Sequence, residues 1–389
     1  MPRKILFFDH TAELGGGEIA LLNLVIRLDR DEFFPVVVLG SDGPFRERLV
    51  EAGIETHIVP LAAAVGGTRK DTLGGGSILR WREAGLALAY CFKLARFIRS
   101  SRAALVHTNS LKADILGGVA SRLARVPVVW HVRDRIETDY LPKTVVVVFR
   151  RLCRLIPNFV IANSHATLQT LGLPKDTGTV AYIGIVVHDG IPVSASDPRK
   201  TPSATPLIAL VGRISAWKGQ HIFIAPAARV RERFPQARFQ IIGSAMFGEE
   251  EYEKEIRAQS VALGLQDCLE FTGFRADVPE LIDALDILVH ASTSGEPFGQ
   301  VVIEGMAAGK PVVATNGGGI PEIMRDDETG ILVPMGDAPA MAEALIRLLA
   351  EPDTAAAMGA AGRRRVLAHF TAEHTARKVE AVFREHARL

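Results

Sequence analysis

"LDILVHASTSGEPFGQVVIEGMAAGKPVVAT", residues 285–315, settles the class of fold. A β-branched run over 285–291 gives way to a polar, glycine-bearing loop. An apolar-periodic segment from Gln300 is stopped by Gly309, and a second β-branched run follows at once. Strand, loop, helix and strand in that order make a parallel crossover unit. The same alternation continues outward. "KILFFD", "FPVVVLG", "AALVHT", "PVVWHV" and "NFVIAN" occupy the first half of the chain, and "LIALVG", "RFQIIG" and "LEFTGF" open the second, each parted by longer helical patterns. The predicted class is α/β, with two doubly wound parallel sheets whose ligands gather beyond the carboxyl ends of the strands.

Between the halves, "DGIPVSASDPRKTPSATP" (189–206) is rich in Pro, Ser and Thr and nearly free of large apolar residues. It reads as a linker between a first domain, 1–188, and a second, 207–389, with the terminal helix a candidate to pack back on the first. The cleft between two such halves is the expected active site. A chain of 389 residues, 48% of them hydrophobic, supplies two cores. Lys plus Arg (45) nearly balances Asp plus Glu (44), so no charge excess argues for a nucleic-acid partner. Cys91, Cys153 and Cys268 lie far apart without a C-x-x-C pair, as expected of buried thiols in a reducing cytoplasm rather than of a zinc site. The apolar run of "MPRKILFFDH" is too short for a signal peptide, and no stretch reaches the roughly 18 uncharged apolar residues of a spanning helix. A cytoplasmic chain, soluble or peripheral on the inner face of a membrane, is expected.

Seven residues separate Glu296 from Glu304. A helix beginning after Gly299 leaves its first amides, around Gln300 and Val301, without intrahelical partners, where they can bind a phosphate. Glu304 then lies about one turn inside, and Glu296 in the preceding loop, nearer a reacting centre. A carboxylate accepts two hydroxyl hydrogen bonds at once, which suits a sugar ring or a ribose. The same spacing also fits a Glu that complements the helix dipole and a solvated helical Glu. "LIALVGRISAWKGQ" sets Arg213 and Lys218 five residues apart, just past the first strand of the second half, where both can reach one diphosphate. "ELGGGEIALLNLV" leads Gly15, Gly16 and Gly17 into an apolar-periodic helix, a loop flat enough for backbone amides to approach an anion.

Taken together and in this order, "GEPFGQVVIEGMAAGKPVVAT", "GGIPEI", "GRISAWKG" and "GGGE" resemble the retaining nucleotide-sugar glycosyltransferases of family 4, over essentially the whole chain. The resemblance implies the GT-B architecture, two Rossmann-like domains facing across a cleft. It implies transfer of a hexose-type sugar from a nucleoside diphosphate sugar to a hydroxyl acceptor, such as a lipid-linked or cell-surface glycan precursor. Front-face substitution with retained configuration is implied too, without cofactor or metal. By the same resemblance Glu296 binds the donor sugar's hydroxyls, Glu304 the ribose, and Arg213 with Lys218 the diphosphate. Phe298, Gly299, Gln300 and Val301 line the donor, and Gly16 and Gly17 close on the phosphates from the opposite domain. His131, in "PVVWHVRD", is the implied active-site histidine facing sugar and acceptor. Nucleotide-sugar epimerases and sugar phosphorylases share this architecture. An NAD-dependent oxidoreductase and a non-catalytic sugar-nucleotide binder stand as alternatives from other classes.

Four features weigh less. His107 ends a strand, a common place for a structural histidine. Asp29-Arg30-Asp31 has the D-x-D form of metal-dependent transferases but falls between a helix and an incoming strand, away from the carboxyl ends. "GGGEIA" matches a dinucleotide fingerprint, yet follows its strand too late for the tight turn such a site requires. Finally, "ILRWREAGLALAYCFKLARFIRSSR" and "KTVVVVFRRLCRLIP" are basic and amphipathic, fitting either helices packed on a core with a basic outer face or an anionic membrane surface as partner.

Overall fold

The computed structural model describes residues 2–62, 77–139, 141–186, 204–246 and 248–388, except for the side chains of 77–83. The expected linker lies outside these residues but for its last three. The chain divides into two compact units, Met1–Val186 with Thr371–Leu389, and Val187–Phe370.

In the first unit strands and helices alternate: β1 (Arg3–Asp9), α1 (Gly16–Ile26), β2 (Phe33–Leu39), α2 (Pro44–Glu51), β3 (Glu55–Ile58), α3 (Ser77–Ser101), β4 (Leu105–Thr108), α4 (Leu111–Ala124), β5 (Val128–Val132), α5 (Lys143–Leu155), β6 (Phe159–Ala162), α6 (His165–Thr170) and β7 (Gly178–Val180). The strands form one sheet in the order β3-β2-β1-β4-β5-β6-β7, every pair parallel. A strand covered on both faces needs apolar side chains at consecutive positions, and β1 carries Ile5, Leu6, Phe7 and Phe8, all fully buried. Leu6 and Phe8 enter the core shared with α3, α4 and α5, while Ile5 and Phe7 enter the core on the opposite face with α1 and α2.

The second unit repeats the plan with β8 (Leu207–Val211), α7 (Gln220–Arg233), β9 (Arg238–Ile242), α8 (Glu250–Ala262), β10 (Leu269–Gly273), α9 (Val278–Ala284), β11 (Ile287–His290), α10 (Gln300–Ala307), β12 (Val312–Thr315), α11 (Ile320–Ile323), β13 (Ile331–Val333), α12 (Ala338–Ala350) and α13 (Pro352–His369). Its strands are ordered β10-β9-β8-β11-β12-β13 and pair parallel. The last helix, α14 (Ala372–His386), belongs to the first unit. Thr371 caps it by accepting from the amide of His374, and Ala376, Val379 and Phe383 join the core of α1 and α2. The Phe383 ring lies 5.9 Å from Phe7 and 5.7 Å from Phe33. The second domain, read from sequence as 207–389, therefore ends at Phe370.

Each sheet has one point where successive strands diverge, between β1 and β4 in the first and between β8 and β11 in the second. Loops leaving the carboxyl ends of two such strands splay apart and open a crevice, the usual ligand site of doubly wound sheets. Asp29 and Asp31 lie at the other edge, in the turn entering β2, where the carbonyl of Asp29 accepts from the amide of Phe33. Among the described residues no helix is long and apolar enough to cross a membrane.

Candidate active site

In the second unit the loops after β8 and β11 meet at the switch point. The first holds Arg213 and a short 3₁₀ turn, Ala216–Lys218; the second runs from Ala291 to Gly299. The amide of Thr293 donates to the carbonyl of Trp217 at 2.8 Å, tying one loop to the other. Gly219 lets them approach: at φ 74° it is left-handed, and a Cβ there would stand 1.9 Å from the carbonyl oxygen of Ala291. A second constraint comes from beyond β12, where Gly318, at φ 61°, would drive a Cβ to 2.0 Å from the Glu296 carbonyl oxygen.

So held, Lys218 Nζ donates to Glu296 Oε2 at 2.8 Å. Ser292 Oγ donates to the same oxygen at 3.1 Å, and His290 Nε2 lies 3.2 Å from it. Thr315 Oγ1, 3.3 Å from His290 Nδ1, holds the far side of the imidazole. Burial alone would raise the Glu296 carboxyl. The ammonium of Lys218 and the hydrogen bond with His290 outweigh burial and hold it far below the usual range, a fixed anion. Its Oε1 has no partner among the described residues and is free to accept from a ligand. Lys218 Nζ, 4.2 Å from the centre of the Trp217 ring, keeps two further donor hydrogens.

Helix α10 opens on Gly299 without a side-chain cap, so the amides of Gln300 and Val301 lack intrahelical acceptors. Glu304 is half-buried one turn further on, with Oε1 accepting from Gln300 Nε2 at 3.0 Å. Burial, which that bond only partly offsets, pushes its carboxyl up to about 7. The Phe298 side chain contributes nothing to the lining: it is 1% exposed and packs on Phe370, leaving only its backbone at the loop. Arg213 is exposed, just past β8.

The first unit has its own polar cluster at its switch point. Asp9 ends β1, Asn109 follows β4 and Arg133 follows β5. Asn109 Nδ2 donates to Asp9 Oδ2 at 2.8 Å and to the Gly17 carbonyl at 3.0 Å, while its Oδ1 accepts from Arg133 Nε at 2.8 Å. The cluster thus supports the glycine loop from beneath. A Cβ on Gly17 would lie 3.7 Å from Arg133 Cδ, and Arg133 Nη1 is buried with no partner among the described residues. Gly16, exposed, and Gly17, half-buried, are the first two residues of α1, which Gly15 enters in extended conformation. Glu18 sits against the glycine loop, its carboxyl raised to about 7 by burial and by Asp9.

His131 is on β5 and fully buried, so in this structure it presents no surface to a ligand. Its Nδ1 lies 3.2 Å from His107 Nε2 and 3.5 Å from Arg133 Nη2. Arginine only donates, so His131 Nδ1 is an acceptor, His107 Nε2 carries a proton, and His131 Nε2–H is left without a partner among the described residues. Burial, with the Arg133 charge, keeps both rings neutral, His107 at about 3. His107 also stacks edge-on against Phe383, 5.8 Å away.

Of the residues singled out from sequence, the fold brings Glu296 and Lys218 into contact and sets Glu304 on the adjoining helix. Those missed are His290, Ser292 and Thr315 around Glu296, and Asp9, Glu18, Asn109 and Arg133 around the glycine loop. Apart from Glu18, in the first turn of α1, their signal was position at or just past a strand's carboxyl end, useful only once the strand order is known.

Two Rossmann-like parallel-sheet units, each with a polar site at its switch point, define a GT-B protein. Residues 15–176 match the glycosyl transferase 4-like domain and residues 195–365 the glycosyl transferases of group 1. The chain is 30% identical to the D-inositol 3-phosphate glycosyltransferase of Corynebacterium jeikeium over 387 residues, 90% of this chain and 87% of that one. It is 27% identical to the lipopolysaccharide core biosynthesis mannosyltransferase LpsB of Rhizobium meliloti, over 66% of this chain and 78% of that one. Several further curated relatives are matched over about half of their length. Anabaena Alr3699/HepE, solved in complex with UDP and glucose, superposes with a TM-score of 0.83 at 28% identity, over 98% of this chain and 100% of that one. The chain belongs to the group 1 glycosyltransferases, with a family 4-like amino-terminal half.

Proposed function

We propose that the protein transfers a sugar from a nucleoside diphosphate sugar to a hydroxyl of a glycan or lipid-linked acceptor, with retention at the anomeric carbon. The observation that carries this reading is the Lys218–Glu296 pair at the second unit's switch point. Glu296 Oε1 accepts from hydroxyls of the donor sugar, and Glu304 from the ribose. Lys218, Arg213 and the first amides of α10 meet the diphosphate, so that its charge is balanced without a divalent ion. Uridine is the base we favour, because HepE was solved with UDP and glucose. The bond from the anomeric carbon to the phosphate oxygen breaks, and the acceptor oxygen bonds the same face. The acceptor's proton passes to the leaving phosphate oxygen, whose charge Lys218 and Arg213 stabilise. Glu296, paired with Lys218 and held anionic, orients the sugar rather than attacking it.

The test uses UDP-glucose in chelator, with water as acceptor. Proton NMR of the first-formed glucose should show the α configuration of the donor. Lys218→Ala should slow donor cleavage by on the order of 10² to 10³ while circular dichroism is unchanged. Inverted product, a metal requirement, or a folded Lys218→Ala variant of parental activity would each defeat the proposal.

A further inference from the structure

Helices α3, α4 and α5 cover one face of the first unit's sheet, and their outward surface has an unusual make-up. Of the seventeen large apolar side chains left exposed among the described residues, eight lie on these three helices. Phe92 is 54% exposed, Val147 and Val148 are 46% and 54%, and Leu155 is 72%. Exposed apolar residues scattered singly need no explanation, but this share on one layer does.

Two arginines show that the helices form one surface. Arg99 of α3 donates to the Leu123 carbonyl of α4 at 2.7 Å, and Arg122 of α4 donates to the Ile156 carbonyl at the end of α5 at 2.6 Å. Leu123 and Leu155 thereby sit at neighbouring helix ends. The charge is one-sided. Lys93, Arg96, Lys143 and Arg151 are exposed with no ion pair to a described residue. Among the described side chains of the three helices the one carboxylate is Asp114, fully buried against the sheet and bonded to Thr108.

From this surface we infer that the outer face of α3, α4 and α5 is a docking face for an anionic lipid bilayer. Aliphatic and aromatic side chains interleaved with unpaired cations suit the boundary between acyl chains and acidic headgroups, where both kinds of contact are met at once. A second copy of the chain fits poorly: a two-fold interface would set cations against cations, with no carboxylate among the described outward side chains of these helices to pair them. Nucleic acid offers phosphates but nothing for Val147, Val148 and Leu155 to bury against. The face lies wholly within the first unit, so the inference stands apart from the donor chemistry proposed above.

The test is co-sedimentation with vesicles of equal phosphatidylglycerol and phosphatidylcholine, at low and high salt. The parent should bind at low salt and be released by high salt. Each cation near the surface should multiply partitioning by about fivefold, so Arg96, Lys143 and Arg151, all changed to Gln, should weaken it on the order of a hundredfold. The control changes Arg229, Arg233 and Arg257 of the second unit to Gln, with the same loss of net charge, and should bind within a few-fold of the parent. Val147→Ser with Leu155→Ser should weaken binding while leaving its salt dependence. A parent that ignores the vesicles at low salt overturns the inference, as does an equal loss in the two triple variants. So does a parent dimer that the Val147/Leu155 variant dissolves, since a second copy would then cover the face. Donor cleavage without lipid should be parental in every variant.

Discussion

Glu304 carries its carboxyl up to about 7 because burial strips water from it and, among the described residues, only Gln300 donates in return. From its ordinary 4.5 to about 7 the folded protein therefore keeps a proton that the unfolded chain has released. Through this group, stability falls as pH rises across that window and is level above it. Ligand binding has the opposite sign. A ribose hydroxyl donates to a carboxylate, so a nucleoside diphosphate bound below pH 7 must expel the proton. Affinity for UDP should fall by up to about tenfold per pH unit below 7. Calorimetry at pH 6.5 in buffers of different ionisation heat should show about one proton released, and Glu304→Gln should abolish the buffer dependence. A parent enthalpy indifferent to buffer would remove Glu304 from the ribose. Glu296 has no such titration near neutrality, since Lys218 and His290 hold it ionised.

At the scale of elements, the two loops of the second unit work as one piece because backbone meets backbone at Gly219 and Ala291. A methyl group at Gly219 cannot be absorbed by a rotamer change, since what it meets is a carbonyl. Gly219→Ala should part the loops and pull Lys218 from Glu296. A misplacement near 1 Å costs on the order of 10² in rate, so activity should drop by that much with the helices of the unit intact by circular dichroism. A variant of parental activity would show that the loops are not coupled. The inner strands of both sheets were legible as continuous apolar runs, because burial on both faces leaves no room for alternation. The strands that escaped reading are β3, β7 and β13. All three are edge strands: β3 and β7 carry only exposed or half-buried residues, and β13 is three residues long. Of the site, Glu296, Glu304 and Lys218 were legible from spacing within a loop–helix segment. His290, Thr315 and Asp9 were not, because each stands alone at a strand end and gains its meaning from a neighbour far off in sequence. His131 was legible as a polar residue at a strand end, but its burial on β5, between β4 and β6 and beside His107 and Arg133, was not.

At the scale of the whole molecule, the first unit is built from two separate stretches of chain, with the second unit's 187–370 between them. Phe383 of α14 packs on Phe7, Phe33 and His107, which closes the apolar core over β1 and covers His107. Phe383→Ala should cost about 3–5 kcal/mol in the first unit alone. Hydrogen exchange read by mass spectrometry should speed up across β1, β4 and β5 and stay unchanged across β8 and β11. Equal acceleration in both sheets would mean that the units unfold as one. The return of α14 also sets an order in time. Synthesis runs from the amino terminus, so the second unit has all of its residues before the first does. At 5–20 residues per second, the roughly 180 intervening residues take about 10–40 s to make. Through that interval the nascent first sheet waits with Phe7 and Phe33 uncovered, and the half of the protein begun first is the one finished last.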